Sequence, residues 1–269
     1  MSGAGRRLAS LPPEARARLE ERLRKALQRD REPGPRPRPR DAGPAPLSPS
    51  QEWLWFDDHW DPERPVYTES VVLELDGPPE RAALGAGLTA VARRHEALRT
   101  HFVHRDGEVR AAVAPPGPVP VPVVDLSALP APRRRRELRA LAEAEAGWRF
   151  RLEVPPLLRC TLLRSAPDRH VMILAVHHIV FDGWSMGILF RELAAVARCR
   201  AHGDPVALDD PPLQYRDFAA WHRERLAGGL AERQLAFWRR RLAGAPTVLE
   251  LPADHPRPAV RTGRGETSG

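Results

Sequence analysis

The spacing of apolar residues changes several times along the chain, and each change marks an element. In LPPEARARLEERLRKALQ (11–28), Leu11, Leu19, Leu23 and Leu27 share one stripe behind two prolines, so a short helix is predicted. REPGPRPRPRDAGPAP has no period, and its composition favours an extended, solvated linker. Periodicity returns at LSPSQEWLWF (47–56), where the folded body is expected to begin. ESVVLELDG (69–77) reads as a strand, and PERAALGAGLTAVARRHEALRT (79–100) as a helix with Leu84, Leu88, Val91, His95 and Leu98 on one face. In HFVHRDGEVRAAV (101–113), Asp106-Gly107 between two strand-like runs predicts a hairpin. Ala131 to Trp148 is a further helix, whose Arg133–Arg136 run makes a solvated face. LLRCTLLR (157–164) and VMILAVHHIV (171–180) are strands separated by the turn-like APDRH, and the second, apolar throughout, suits a strand buried on both faces. Beyond Gly183 the pattern is helical through GWSMGILFRELAAVARCR, YRDFAAWHRERL and AERQLAFWRRRLAG. From Ala245 prolines and polar residues replace it. The chain reads as an α/β protein without internal repeats.

Composition sharpens this picture in three places. Of 269 residues 42% are hydrophobic, enough for a sizeable core, while 30 prolines call for much loop. The net charge of +7 is uneven: residues 1–47 hold 12 basic and 6 acidic side chains, leaving the rest of the chain at +1. The basic arm could serve nucleic acid or a protein partner. No aromatic residues interleave to stack on bases, which favours a tether. Cys160 and Cys199 lack ligand spacing and read as reduced thiols. No leader-like apolar segment opens the chain, and no run approaches membrane-spanning length, so a soluble cytoplasmic protein is expected.

The candidate chemistry lies in HHIVFDGWSMG (177–187), where two signatures overlap. Gly183-Trp184-Ser185-Met186-Gly187 is a nucleophile elbow, G-x-S-x-G, between a strand and a helix. A serine hydrolase or thioesterase would need an acid and a base downstream, for which Asp204 or Asp209 and His222 or His255 are candidates. The remainder of the chain offers helices and proline-rich coil where that fold needs parallel strands, and an upstream oxyanion loop is missing. The other signature is H-H-x-x-x-D-G. Neighbouring strand residues face opposite ways, so His177 and His178 cannot both reach one channel. One ring is structural, and the other can handle protons at neutral pH without a covalent intermediate. Asp182 can cap the next helix or hold an arginine, and Gly183 allows a substrate to lie close to the backbone. A buried, satisfied histidine pair beside a helix cap is the plainer alternative.

Four ordered motifs resemble the condensation domains of non-ribosomal peptide synthetases: LSPSQEWLW (47–55), RHEALRTHF (94–102), HHIVFDGWS (177–185) and YRDFAAW (215–221). FWRRRLAGAPTVLELPADHPRP (237–258) is similar to the stretch that follows in that family, so the resemblance spans about residues 45–260. Ser50 and Trp53 depart from the usual Ala and Arg of the first motif. The resemblance implies a chloramphenicol-acetyltransferase-like fold and a tunnel entered by two thioesters on carrier-protein phosphopantetheine arms. The acceptor amine attacks the donor thioester and an amide forms. It implies that His178 orients or deprotonates that amine, while Asp182 is salt-bridged to Arg94 or Arg99. His177, Gly183, Trp184 and Ser185 complete the loop, whose GWS ending is similar to the subtype taking an L-configured donor. No metal or directly bound cofactor is implied. His95 is expected to be packed rather than catalytic, and Tyr215 and Trp221 to anchor packing.

The resemblance covers an N-terminal lobe, with a mixed sheet flanked by helices and the second lobe missing. The organisation expected is an N-terminal helix region (1–30), a Pro/Arg-rich linker (31–46), the lobe (47–260) and an unstructured tail (261–269). Upstream and downstream carrier proteins are the expected partners. On this resemblance the chain is expected to be a truncated or misannotated fragment, or else to be completed by a second-lobe chain. A coenzyme A-dependent acyltransferase and an inactive remnant are the other readings.

Overall fold

The hydrophobic runs are gathered into two sheets with helices packed on them. The structure is a computed structural model that describes residues 34–61, 66–77, 81–202, 208–249, 252, 254 and 255. The expected helix at 11–28, Asp204 and the tail at 261–269 lie outside the described residues. In chain order the elements are β1 (Ala45–Pro46), α1 (Pro49–Trp60), β2 (Thr68–Asp76) and α2 (Arg81–Arg94), then a 3₁₀ turn (Glu96–Arg99). β3 (Thr100–Arg105), β4 (Glu108–Val113), β5 (Val123–Asp125) and α3 (Ala131–Ala146) follow. β6 (Leu158–Ala166), β7 (Arg169–His177), a second 3₁₀ turn (His178–Val180), α4 (Gly183–His202), α5 (Tyr215–Arg225) and α6 (Ala231–Arg241) complete them.

One sheet has the order β1-β4-β3, and the other β2-β7-β6-β5, with β5 parallel to β6 and the other pairs antiparallel. The β3–β4 hairpin turns at Asp106 (φ 53°) and Gly107 (φ 80°). Two successive left-handed residues match the twist of the flanking strands, which is why Asp-Gly marks this turn. β7 is central in its sheet and buried from His170 to His177, in keeping with its uninterrupted apolar run. Its residues join Leu47, Leu88, Phe102, Leu157, Leu162 and Leu189 in the main core. Fully burying each such leucine contributes roughly 1.5–3 kcal/mol. A smaller cluster around Leu163 and Ile173 packs beneath Leu138 and Leu141 of α3.

Three expected boundaries move. The helix expected to run to Thr100 ends at Arg94, because Gln214 takes over its end. The Gln214 amide donates to the Arg94 carbonyl (3.0 Å) and its oxygen accepts from the Glu96 N–H (3.0 Å). The strand expected to reach Val180 ends at His177, whose own ring accepts the Ile179 N–H and bends the chain into a 3₁₀ turn. The body also begins before Leu47. Ala45 and Pro46 pair with Ala111 and Arg110. The buried Asp217 accepts from the Arg38 N–H (3.0 Å) and the Arg40 guanidinium (3.3 Å). That part of the expected solvated linker is held because a buried carboxylate needs donors.

The described residues up to Leu226 form one compact unit and those from Ala227 another. Within the second, α6 has Glu232 in its first turn and Arg239–Arg241 in its last, charges that complement the helix dipole. Among the described residues no helix is long and apolar enough to cross a membrane. Cys160 and Cys199 are free thiols, and burial pushes the Cys160 thiol up to about 12.

Candidate active site

The two histidines end the central strand in opposite environments. His177 is 2% exposed. Its Nδ1 accepts the Ile179 N–H at 3.1 Å, which leaves the ring proton on Nε2, facing Asp58 Oδ1 at 3.5 Å. Phe150 and Tyr67 pack beside the ring, with centroids 6.1 and 6.2 Å away. This histidine shapes the loop and is sealed from solvent. The His178 side chain is 39% exposed, and its backbone N–H is anchored on the Tyr67 carbonyl at 2.8 Å. Its Nδ1 is buried and lies 2.6 Å from Glu69 Oε1, a close polar contact that lacks hydrogen-bond alignment.

Asp182 closes the loop and caps α4. Its Oδ1 accepts from the Ser185 N–H (2.8 Å) and the Ser185 hydroxyl (2.6 Å), satisfying a first-turn amide. The Ser185 hydroxyl is the main reason the Asp182 carboxyl lies below its usual range, with partial burial working against it. The expected salt bridge between Asp182 and Arg94 or Arg99 is absent among the described residues. Arg94 instead binds Glu192 and the Asp209 carbonyl, and Arg99 binds the Ala114 carbonyl and approaches Glu96 (3.8 Å). A helix N-cap meets the aspartate's need locally, so no arginine is required. Ser185 gives its hydroxyl proton to Asp182 rather than to a histidine. The nucleophile–base pair of a serine hydrolase is therefore not formed at this serine.

Gly183 has no atom within 4 Å of where a Cβ would stand, so the loop backbone is open on that side. Trp184 is 83% exposed beside it. Behind the loop an apolar hollow of about 80 Å³ is lined by Val91, His95, Leu98, Val180, Phe181 and Ser185. His95 Nε2 contacts Glu192 Oε2 (2.8 Å) and Arg94 (2.9 Å), so it belongs to a polar cluster as well as to the helix face.

Residues 41–268 match the sequence profile of the family described as Condensation domain. The chain belongs to the condensation-domain family. It is 42% identical over 259 residues to phosphinothricin tripeptide synthetase PhsC of Streptomyces viridochromogenes, covering 96% of this chain and 24% of PhsC. The first condensation domain of the calcium-dependent antibiotic synthetase, solved with a substrate analogue, superposes with a TM-score of 0.67 at 27% identity. The match covers 76% of this chain and 48% of that one. A structure of the X-domain with OxyB from teicoplanin biosynthesis gives 0.69 at 32% identity, over 83% and 48% of the two chains. The chain thus spans about a quarter of PhsC and about half of each solved chain.

The condensation-domain motifs are physically tied to one another in this structure. Ser48 caps α1 with Gln51 as its reciprocal partner. Gln51 Nε2 then donates to the Ile179 carbonyl of the histidine loop (3.3 Å). The Ser48 hydroxyl also meets the Tyr215 hydroxyl of the fourth motif at 2.9 Å. Arg216 of that motif lies 2.9 Å from Glu96 of the second. Tyr67 gives its hydroxyl proton to Asp57 (2.7 Å). Burial first, and then that carboxylate, push the Tyr67 phenol up to about 12. Sequence reasoning missed Asp58, Glu69 and Gln51 as supports of the loop. Asp58 and Glu69 sit far from HHxxxDG in the chain and carry no local signature. Gln51 was visible only as the third residue after a Ser N-cap.

Proposed function

We propose that this chain carries the histidine-bearing half of an amide-forming condensation site. Its substrates would be a donor acyl thioester and an acceptor aminoacyl thioester, each on the phosphopantetheine arm of a carrier protein. The observation that carries the reading is the division of labour between the histidines. A sealed His177 holds the loop, a partly exposed His178 opens the turn, and the backbone at Gly183 that closes it is open. The acceptor nitrogen attacks the donor carbonyl carbon, the C–N bond forms and the C–S bond breaks. One amine proton leaves through His178 Nε2 and reaches the departing thiolate. Such proton transfer is worth about 10²–10⁴-fold, and alignment of the two thioesters adds to it. Asp182 and Ser185 act on this chemistry only by fixing where the loop turns into α4.

The test is to incubate the protein with loaded donor and acceptor carrier proteins and follow the dipeptidyl thioester by mass spectrometry. His178→Ala should lower its rate by at least about 10²-fold, and Ser185→Ala by only a few-fold. Loss of activity in Ser185→Ala together with an acyl-serine adduct would overturn the reading in favour of a hydrolase.

A further inference from the structure

The buried edge of the His178 ring faces a carboxylate from the neighbouring strand. Glu69 follows Thr68, which pairs with His177 across β2 and β7, and its Oε1 reaches to 2.6 Å from His178 Nδ1. That nitrogen is cut off from solvent and has no aligned hydrogen-bond partner among the described residues. A carboxylate can only accept, so a buried ring nitrogen placed against it is satisfied only when it carries the proton. The imidazole is then left with an unprotonated Nε2 on its more open side. Poor alignment before substrate arrives is common for catalytic hydrogen bonds, which tighten in the reacting complex.

We propose that Glu69 is the positioning residue that holds His178 as its Nδ1–H tautomer and turns Nε2, as a free base, toward the acceptor amine. This rests on the condensation reading for the identity of the amine but not for the tautomer. The ring anchored by a carboxylate on one nitrogen and reacting through the other is an arrangement used by unrelated hydrolases. When Nε2 takes the amine proton, the Glu69 carboxylate faces the imidazolium. The proton then passes from Nε2 to the leaving sulfur, so the histidine is regenerated.

Ring ¹⁵N spectra of the histidine-labelled protein at pH 9, above the usual imidazole titration, test the tautomer, with His178→Ala identifying the signals. The proposal expects a protonated-type Nδ1 and an unprotonated-type Nε2 in the wild type. In Glu69→Leu the pattern should shift toward the Nε2–H form. In the two-carrier assay, Glu69→Leu should lower kcat on the order of 10²-fold with KM changed less than about twofold, and Glu69→Asp should recover part of it. A wild-type ring protonated at Nε2, or a tautomer unchanged in Glu69→Leu, overturns the proposal whatever reaction the protein catalyses. A correct tautomer with kcat unaffected by Glu69→Leu also overturns it, while leaving condensation intact. If the wild type forms no amide, the condensation reading fails and the spectra alone judge Glu69.

Discussion

Replacing His177 by alanine should damage the fold far more than the same change at His178. His177 supplies the acceptor for the Ile179 N–H, and Ile179 is itself buried. An orphaned buried amide costs about 1–3 kcal/mol. Removing a ring packed between Phe150 and Tyr67 loses about 2 kcal/mol of burial, and Asp58 loses the N–H in front of it. Together these amount to about 3–5 kcal/mol, or roughly 6–20 °C in Tm for a domain of this size. His178→Ala gives up a partly exposed ring and one polar contact with Glu69, which is worth less than about 1 kcal/mol. Thermal and urea unfolding of the two variants beside the wild type provide the measurement. His177→Asn adds a control, since its amide oxygen can replace Nδ1 as the acceptor and should restore part of the loss. If His177→Ala melts within a few degrees of the wild type, or His178→Ala falls as far, the assignment of structural and reactive histidines is wrong.

Two further perturbations separate cap from charge and fix a pH dependence. Asp182→Ala should cost about 1 kcal/mol in urea unfolding, whereas Asp182→Asn, also a good N-cap, should stay within a few tenths. Equal losses would show that the carboxylate charge matters and that an ionic partner was overlooked. Burial alone would lift the Glu145 carboxyl, but hydrogen bonds from Arg159 (2.9 Å) and Thr161 (2.8 Å), with the Arg159 charge, bring it below its ordinary range. A folded-state value below the unfolded one stabilises the protein above about pH 4.3, and that contribution is lost as pH falls through the folded value. Glu145→Gln should therefore flatten the acid side of the stability–pH curve as pH falls below the ordinary carboxylate range. An unchanged acid slope would contradict the sign.

Most elements of the described fold were legible because their signals are local. Asp106-Gly107 names its own turn, and the apolar run in β7 announces a buried strand whatever its neighbours do. Two element ends were not, since they are decided by residues distant in sequence. Nothing between 79 and 100 reveals that Gln214 will take the Arg94 carbonyl and stop the helix. Likewise nothing in the Pro/Arg tract reveals that Asp217 will claim Arg38 and Arg40. The pairing expected for Asp182 failed for the opposite reason: a partner three residues away satisfied the carboxylate before any distant arginine could.

The same contrast explains the site. HHxxxDG is legible because the chain must turn within a few residues, using His177 as an acceptor, Asp182 as a cap and Gly183 for backbone access. What surrounds His178 comes from elsewhere: the Tyr67 carbonyl on its amide and the Glu69 carboxylate beside its ring. Both belong to the stretch entering β2, more than a hundred residues earlier in the chain. They arrive together because antiparallel pairing places Thr68 opposite His177. A one-residue slip in that register would turn Glu69 to the other face of the sheet and leave His178 Nδ1 buried against nothing. The nine-residue ladder between β2 and β7 therefore fixes the surroundings of the His178 ring as well as the core. Substitutions that loosen the β2–β7 pairing should disturb the His178 tautomer before they unfold the sheet.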